Sequence, residues 1–228
     1  FTESVRQIEP DATIQWNFAE GDLVLNKQIL GVVTGNLVKV LQAERIALNF
    51  LGRLCGIATW TGCFVKKIEH TKTKILDTRK TTPGIRALEK WAVKIGGGEN
   101  HRFALYDMIM LKDNHIDFAG GISHAIRKTN AYLKETNRDL KIIVEARSIA
   151  EVKQILASEG VYRILLDNFD YDQTREAVKL IGDQCLTESS GNINEKTLRK
   201  YAECGVDFIS SGALTHSVYN MDLSLKAV

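Results

Sequence analysis

The chain has 228 residues, of which 44% are hydrophobic and 25% charged, and its formal net charge at pH 7 is +2. This length suits one large domain or a domain and a half, and the hydrophobic content supports a sizeable core. The nearly balanced charge argues against binding to nucleic acid or membranes through bulk charge, so any basic site must be local. We expect no transmembrane helix and no signal peptide, because neither pattern is present in the sequence.

Four cysteines occur, and they form neither a C-x-x-C pair nor a zinc-binding spacing. They are Cys55, Cys63, Cys185 and Cys204. The pattern predicts free thiols in a reducing compartment, and therefore a cytoplasmic protein. We assign Cys55 and Cys63 no role, because they lie on a predicted helical segment away from the strand ends.

The first part of the chain predicts short strands followed by a helix. Residues 22–36, "DLVLNKQILGVVTGN", alternate apolar and polar residues and contain glycine breakers. From residue 43 to about residue 61 an apolar stripe at helical spacing predicts a helix. The stripe consists of Ile46, Phe50, Leu54 and Ile57, joined by Ala47 and Leu51. We place a domain boundary near residue 65, which gives domains 1–65 and 66–228, with the last residues returning to the first domain.

Beyond residue 65 one pattern recurs: a short apolar run ends in polar residues, and a helical segment usually follows. Six such run ends can be identified, at Asp77, Lys112, Glu145, Asp167, Glu188 and Ser211. The last four are spaced by about the length of a strand, a loop and a helix. Parallel strands joined by helices carry their chemistry at their carboxyl ends. We predict an α/β barrel, with a doubly wound sheet as the alternative because six strands fall short of eight.

A cluster of cations surrounds these predicted strand ends. Residues 74–86, "KILDTRKTTPGIR", contain Arg79, Lys80 and Arg86 after an apolar strand end. Such charges on one loop can simply be solvated. In a barrel, however, they converge on the same mouth as His101, Arg102, Lys112 and His115. Arg and Lys bind carboxylates and phosphates, so this convergence favours an anion site.

Two further features of the predicted mouth suit a phosphorylated ligand. Glu145 and Asp167 end adjacent apolar runs, where two carboxylates fit a hydrated magnesium ion or ribose hydroxyls. The alternative is that they are salt-bridge partners of nearby lysines. The loops "ESSGN" (188–192) and "SSGALTHS" (210–217) follow the last two strands, where many barrels bind a phosphate through backbone N–H groups.

Several segments together resemble a known family. They are "ERIALNFLGRLCGIAT", "LDTRKTTPGIRALEKWAVKIGGGENHR", "MLKDNHI", "VEARS", "LLDN", "TESSGNI" and "GVDFISSGALTHS". From about residue 40 to the end, the chain resembles the quinolinate phosphoribosyltransferases, also called nicotinate-nucleotide pyrophosphorylases (carboxylating). The resemblance implies an incomplete α/β barrel packed against a smaller amino-terminal α/β sandwich domain. Members of this family usually begin with a further helical segment, so we expect the chain to be incomplete before Phe1.

The resemblance also implies a reaction and its residues. Quinolinate and 5-phosphoribosyl 1-pyrophosphate would give nicotinate mononucleotide, pyrophosphate and carbon dioxide in de novo NAD biosynthesis, with Mg²⁺. The implied quinolinate-binding residues are Arg45 (from the partner subunit of a homodimer with shared active sites), Thr78, Arg79, Lys80, His101, Arg102 and Lys112. The implied catalytic residues are Glu145, Asp167 and Lys112, with Glu145 and Asp167 also meeting the ribose and, through water or substrate, the metal. The implied phosphate-binding residues are Ser190, Gly191, Asn192, Ser211, Gly212, Ala213 and His216.

Two positions depart from the family pattern. Cys55 replaces a serine, which exchanges one small residue for another. Asn192 replaces a second glycine in the first phosphate loop. Asn tolerates a left-handed backbone better than most residues, so we expect this loop to form.

Three rival functions remain open from the sequence. A phosphoribosyltransferase that takes nicotinate without decarboxylation would have fewer cations in its pocket. A non-catalytic barrel that binds an anionic metabolite would lack Glu145 and Asp167. A phosphate-binding isomerase would need a general base poised near neutrality, for which His101 is the candidate.

Overall fold

A computed structural model describes residues 1–227, and its first unit is a small α/β layer. It contains α1 (Thr2–Arg6), β1 (Thr13–Trp16) and β2 (Gly31–Thr34). The two strands are antiparallel, with Thr13 opposite Thr34. Val5 and Ala12 are buried against Ala43 and Ala47 of the next helix. This layer matches the smaller amino-terminal α/β unit that the sequence predicted.

The second feature is a long helix, α2 (Leu37–Ile68). Asn36 caps it, because its side chain accepts hydrogen bonds from the backbone N–H groups of Val38 and Lys39. The helix extends beyond the predicted range of 43–61 at both ends.

The predicted buried stripe of α2 was partly wrong. Ile57 is fully buried, but Ile46 is 52% exposed. Ala47 of the stripe is buried as predicted, and the buried positions also include three small residues outside the stripe, Ala43, Gly52 and Gly56. Small residues let neighbouring backbone approach the helix closely, a role that a search for large apolar side chains overlooks.

The predicted domain boundary at residue 65 falls inside α2. The core of the first unit ends on this helix at Ala47, and the larger core begins on it at Ile57. One helix therefore contributes to both cores, and the position of the boundary remains a prediction.

The larger unit is built on six parallel strands. They are β3 (Lys74–Leu76), β4 (Ile109–Leu111), β5 (Ile142–Ala146), β6 (Arg163–Asp167), β7 (Leu186–Ser190) and β8 (Phe208–Ser210). Their spatial order is β3-β8-β7-β6-β5-β4. This order places the last strand beside the first and keeps the others in sequence, as in a barrel, whereas a doubly wound sheet reverses direction midway.

The barrel is incomplete, as predicted. Within residues 1–227, β3 and β4 are not paired with each other, and a bridge between Leu76 and Glu99 extends the sheet beside β3. The helices that follow the strands are α3 (Arg86–Ile95), α4 (Asp113–Ala119), α5 (Ile122–Glu135), α6 (Ile149–Leu156), α7 (Tyr171–Ile181), α8 (Leu198–Ala202) and α9 (Ala213–His216). Every residue of β5 is buried, as expected for a strand covered on both faces. No helix among the described residues is long and apolar enough to cross a membrane.

The carboxyl-terminal segment runs back along the middle of α2. The backbone N–H of Met221 donates to the carbonyl of Gly52 over 2.9 Å. A Cβ atom added at Gly56 would lie 2.2 Å from the carbonyl oxygen of Tyr219. The segment can therefore pack here only because α2 carries glycine at these positions.

We expect Gly56→Ala to destabilise the fold by about 1–3 kcal/mol, the usual range for overpacking, although alanine favours helix formation. Gly62→Ala in the same helix is the matched control, because its added Cβ would meet nothing closer than 3.7 Å. Urea unfolding of both variants measures the effect. A Gly56→Ala variant as stable as Gly62→Ala would contradict the close packing of the tail.

Candidate active site

One cavity of about 750 Å³ opens at the carboxyl ends of the barrel strands. All of the predicted site residues except Arg45 line it. They are Thr78, Arg79, Lys80, His101, Arg102, Lys112, Glu145, Asp167, Ser190, Gly191, Asn192, Ser211, Gly212, Ala213 and His216. The barrel topology thus brings together residues that are up to 138 positions apart, from Thr78 to His216.

The two predicted carboxylates lie on the same face of neighbouring strands. Glu145 is opposite Leu165 in the β5–β6 register, and Asp167 is two residues beyond Leu165. Residues two apart on a strand point to the same side, so both carboxylates face the cavity. The ammonium group of Lys112 lies 3.4 Å from Oε2 of Glu145.

The surroundings of Glu145 shift its pKa. Burial raises the pKa of Glu145; Lys112 opposes this rise, and the charge of Asp167 adds to it. Asp167 accepts a hydrogen bond from the side-chain amide of Asn168 over 2.7 Å. Glu145 therefore forms a salt bridge with a nearby lysine, as the alternative interpretation predicted. Lys112 forms no such bridge with Asp167.

The cations form one wall of the cavity. Burial and the neighbouring charge of Arg79 lower the pKa of Arg102. The guanidinium of Arg102 donates to the carbonyl of Met108 over 3.2 Å, which fixes its position. Lys80 packs over Gly212, where an added Cβ would lie 2.9 Å from Cδ of the lysine. An anion entering this side would meet several positive charges at once.

Two cationic candidates from the sequence have structural roles instead. Arg86 donates to the hydroxyl of Thr81 over 3.0 Å and to the carbonyl of Phe103 over 3.2 Å. The Nδ1 atom of His115 accepts from the backbone N–H of Lys112 over 3.0 Å at the start of α4. Neither residue lines the cavity.

His101 lines the cavity, but both of its ring nitrogens face protein groups. Nδ1 accepts a hydrogen bond from the backbone N–H of Arg102 over 2.6 Å, so the ring proton belongs on Nε2. Nε2 lies 3.3 Å from Oε2 of Glu188. In this arrangement neither nitrogen is left to act as a general base on a ligand.

A buried ion pair lies at the floor of the cavity, which Glu188 lines. Arg163 donates to Oε2 of Glu188 over 2.7 Å, and its guanidinium stacks 3.9 Å from the centre of the Phe208 ring. Burial alone would raise the pKa of Glu188, but His101, Arg163 and Ser210 together lower it to about 2. From the sequence, Glu188 was expected only to end an apolar run, and Arg163 was not predicted, because its only signal is a charge at the start of such a run.

The first small-residue loop has an unusual backbone. Asn168, Gly191 and Asn192 all have positive φ, of 56°, 96° and 51°. A Cβ at Gly191 would lie 2.3 Å from the side-chain oxygen of Asn168, so only glycine fits. Asn192 adopts the left-handed conformation expected of it, and its amide donates to Asn168 over 3.3 Å. Asn168 was missed from the sequence, although it follows Asp167 in "LLDN".

Arg45 is the one predicted site residue that does not reach the cavity. It lies on α2 with its side chain 75% exposed, and Glu44, at 3.9 Å, is the acidic group beside it. Within one chain it cannot contact a ligand in the cavity. Its participation would require a second copy of the chain, and this remains a prediction.

A barrel whose mouth combines cations, two carboxylates and two small-residue loops is typical of phosphate-binding α/β barrels. Two family models match the chain: the N-terminal domain of quinolinate phosphoribosyl transferase over residues 2–55 and its C-terminal domain over residues 57–226. The chain belongs to the quinolinate phosphoribosyltransferase family, in agreement with the resemblance of its motifs.

Individual relatives agree with this assignment. The chain is 44% identical over 233 residues to "Nicotinate-nucleotide pyrophosphorylase [carboxylating], chloroplastic" of Arabidopsis thaliana, a match that covers 96% of this chain and 66% of the relative. It is 40% identical to a probable nicotinate-nucleotide pyrophosphorylase of Bacillus subtilis, over 90% of this chain and 70% of the relative. The crystal structure of NadC from Streptococcus pyogenes superposes with a TM-score of 0.93 at 38% identity, over 99% of this chain and 79% of that one.

Replacing Glu188 tests the buried pair. Glu188→Gln leaves Arg163 buried without a counterion, so we expect a loss of about 3–5 kcal/mol at pH 7. A carboxylate with a lowered pKa stabilises the fold above its unfolded pKa of 4.5, and this contribution is lost as the pH falls towards about 2. The difference in free energy of unfolding between wild type and variant should therefore decrease as the pH falls from 4.5 to about 2. Urea unfolding measures this difference.

Glu203→Gln is the matched control, because Glu203 pairs with Arg199 on an exposed helix surface. We expect a much smaller change at pH 7 for this variant. If the difference in free energy of unfolding between wild type and Glu188→Gln stays constant from pH 5 to about pH 2, the assigned ionisation of Glu188 is contradicted.

Proposed function

We propose that this chain transfers the phosphoribosyl group of 5-phosphoribosyl 1-pyrophosphate to quinolinate. The products are nicotinate mononucleotide, pyrophosphate and carbon dioxide, in de novo NAD biosynthesis. One observation carries the proposal: a single cavity has a cationic wall, two small-residue loops and two carboxylates. Family membership and the names of the relatives support it.

The cationic wall favours quinolinate over a substrate with one carboxylate. Quinolinate has two adjacent carboxylates, and Arg79, Lys80, Arg102 and Lys112 are available to bind them. Thr78 adds a hydroxyl at the edge of this wall, although that hydroxyl already accepts from the N–H of Lys80 over 3.0 Å. A nicotinate-specific site would need fewer cations. Nδ1 of His101 already accepts a hydrogen bond and Nε2 carries the ring proton against Glu188, which argues against the isomerase alternative.

The small-residue loops would bind the phosphate of the second substrate. Ser190, Gly191 and Asn192 form one loop, and Ser211, Gly212 and Ala213 form the other, with His216 beside it. The ribose would then lie over Glu145 and Asp167. As pyrophosphate leaves, positive charge develops at the ribose C1, and these carboxylates would stabilise it.

Decarboxylation would follow from the product of the transfer itself. Once the ring nitrogen is bonded to ribose, the positively charged ring withdraws electrons from the bond to the adjacent carboxylate. The protein needs no covalent nucleophile for this step. Its contribution would be to hold the two substrates in reacting geometry and to balance their charges.

Mg²⁺ is the proposed cofactor, and the carboxylates of Glu145 and Asp167 have the hard oxygen donors that it prefers. No group of three or more potential ligands is found among residues 1–227. The pyrophosphate oxygens and water would therefore complete the coordination. When bound, the ion would neutralise the charge of the leaving pyrophosphate.

A homodimer with shared active sites is also part of the proposal. Arg45 is exposed outside its own cavity, and Leu37, Val38, Leu41 and Ile46 expose apolar side chains along the same part of α2. Burial of this face against a second copy would remove apolar surface from water and could carry Arg45 to the neighbouring cavity. A cytoplasmic location is proposed on the cysteine pattern alone, and some plant relatives are named as chloroplastic or mitochondrial.

The activity is tested by quinolinate-dependent release of carbon dioxide in the presence of phosphoribosyl pyrophosphate and Mg²⁺. Asp167→Asn is the informative variant, because it keeps the shape and removes the charge. We expect turnover at saturating substrate to fall about 100-fold, the size of a typical electrostatic contribution. Quinolinate affinity should stay within a few-fold, since the cations hold quinolinate. A large loss of affinity with little loss of turnover would instead favour a salt-bridge role for Asp167.

Shared sites are tested by subunit exchange between two inactive variants. Arg45→Ala damages the arginine supplied to the neighbour, and Lys112→Ala damages the chain's own cavity. A mixed dimer then contains one intact site, so we expect mixing to recover part of the carbon dioxide release. Each variant incubated alone is the control. If every chain forms its own complete site, no recovery will appear.

A further inference from the structure

The two predicted substrate subsites are in direct contact. The loop after β3, residues 78–82, carries Lys80 of the cationic wall, and the turn after β8, residues 211–216, carries the second phosphate loop. The hydroxyl of Thr215 donates to the carbonyl of Lys80 over 2.8 Å. Thr215 is fully buried, so this hydrogen bond is shielded from water.

A buried carboxylate outside the cavity accepts hydrogen bonds from the end of the first segment. Glu89 on α3 is fully buried and does not line the cavity. Its Oε2 accepts from the backbone N–H of Thr82 over 3.0 Å, and its Oε1 accepts from the hydroxyl of Thr82 over 2.8 Å. These two bonds fix the end of the loop that carries Lys80.

The same carboxylate binds an arginine that reaches the second segment. Arg53 on α2 donates to Oε1 of Glu89 through Nε over 3.1 Å and through Nη2 over 2.9 Å. Nη2 also donates to the carbonyl of Thr215. One guanidinium therefore joins the carboxylate that holds the first loop to the backbone of the second.

We propose that Arg53 and Glu89 are positioning residues that set the separation of the quinolinate and phosphate subsites. The inference rests on the proposed function, because it assigns the two segments to the two substrates. The reaction joins the ring nitrogen to the ribose C1, so the two subsites must hold these atoms in line. A displacement of about 1 Å can cost two orders of magnitude in rate. Neither residue touches a substrate in this assignment.

The main test compares turnover with the affinity of each substrate, measured separately by titration calorimetry. Glu89→Gln places an amide donor against the donors of Arg53 and Thr82. We expect turnover at saturating substrate, measured by carbon dioxide release, to fall about 100-fold because the two subsites are displaced relative to each other. The affinities for quinolinate and for magnesium phosphoribosyl pyrophosphate should each fall by no more than about tenfold, the equivalent of one charged hydrogen bond. Glu203→Gln removes an exposed carboxylate that also pairs with an arginine, and should change neither affinity.

A second variant keeps the proposal testable if Glu89→Gln does not fold. Arg53→Lys keeps a cation beside the fully buried Glu89 but loses the guanidinium fork that reaches Thr215, so it should fold more readily than a variant of Glu89. It removes the bridge to Thr215 but leaves the bonds between Glu89 and Thr82. If the folded variants show a lower melting temperature but wild-type affinities and wild-type turnover at saturating substrate, the pair is only structural and the proposal is wrong.

Amide hydrogen exchange, measured without substrates, tests the link between the two segments independently of the proposed function. In Glu89→Gln, which disturbs both the bonds to Thr82 and the anchor of Arg53, we expect faster exchange in both 79–82 and 212–216, with β5 and β6 unchanged. Faster exchange in only one segment would overturn the link between them. If wild-type protein neither binds quinolinate nor releases carbon dioxide, the proposed function fails, whereas the exchange result still decides whether the two segments are linked.

Discussion

The cationic wall of the cavity depends on buried carboxylates in the protein interior next to it. Asp77 at the end of β3 is fully buried and bonds the ammonium of Lys90, which is itself only 1% exposed. Burial raises the pKa of Asp77 and lowers that of Lys90, and each partner opposes the shift of the other. Two such charges are tolerated in the interior only as a hydrogen-bonded pair.

This pair also fixes the backbone of the cationic wall. Oδ1 of Asp77 accepts from the N–H of His101 over 2.8 Å, and Lys90 donates to the carbonyl of His101 over 3.0 Å. Arg102, the next residue, therefore projects from an anchored backbone. Glu188 and Glu89 repeat the arrangement, each paired with an arginine. Cations collected around one cavity repel each other, and these internal anions offset that repulsion without occupying the space of a ligand.

Helix α2 connects the parts of the molecule that the site requires. Its first half packs on the small amino-terminal unit, and its second half packs on the barrel. Between them, Gly52 and Gly56 receive the carboxyl-terminal segment, and Arg53 reaches Glu89. Arg45 lies about two to three turns before these residues and faces outward. The helix thus links the amino-terminal unit to the back of the active site.

The sequence by itself determined the parallel strands and most of the residues at the mouth, because each apolar run ends in the residues that a carboxyl strand end presents. It favoured a barrel but left a doubly wound sheet open, and the strand order decided between them. The sequence also determined the family, through motifs that stay contiguous along the chain. Only the tertiary structure decided the roles of Arg163, Glu89 and Arg53, whose partners lie 25, 36 and 36 residues away. It likewise decided that small residues, rather than Ile46, form much of the buried side of α2, since close backbone approach leaves no periodic apolar signal. Local patterns report which residues are apolar and where elements end, but the pairing of buried charges depends on which elements pack together.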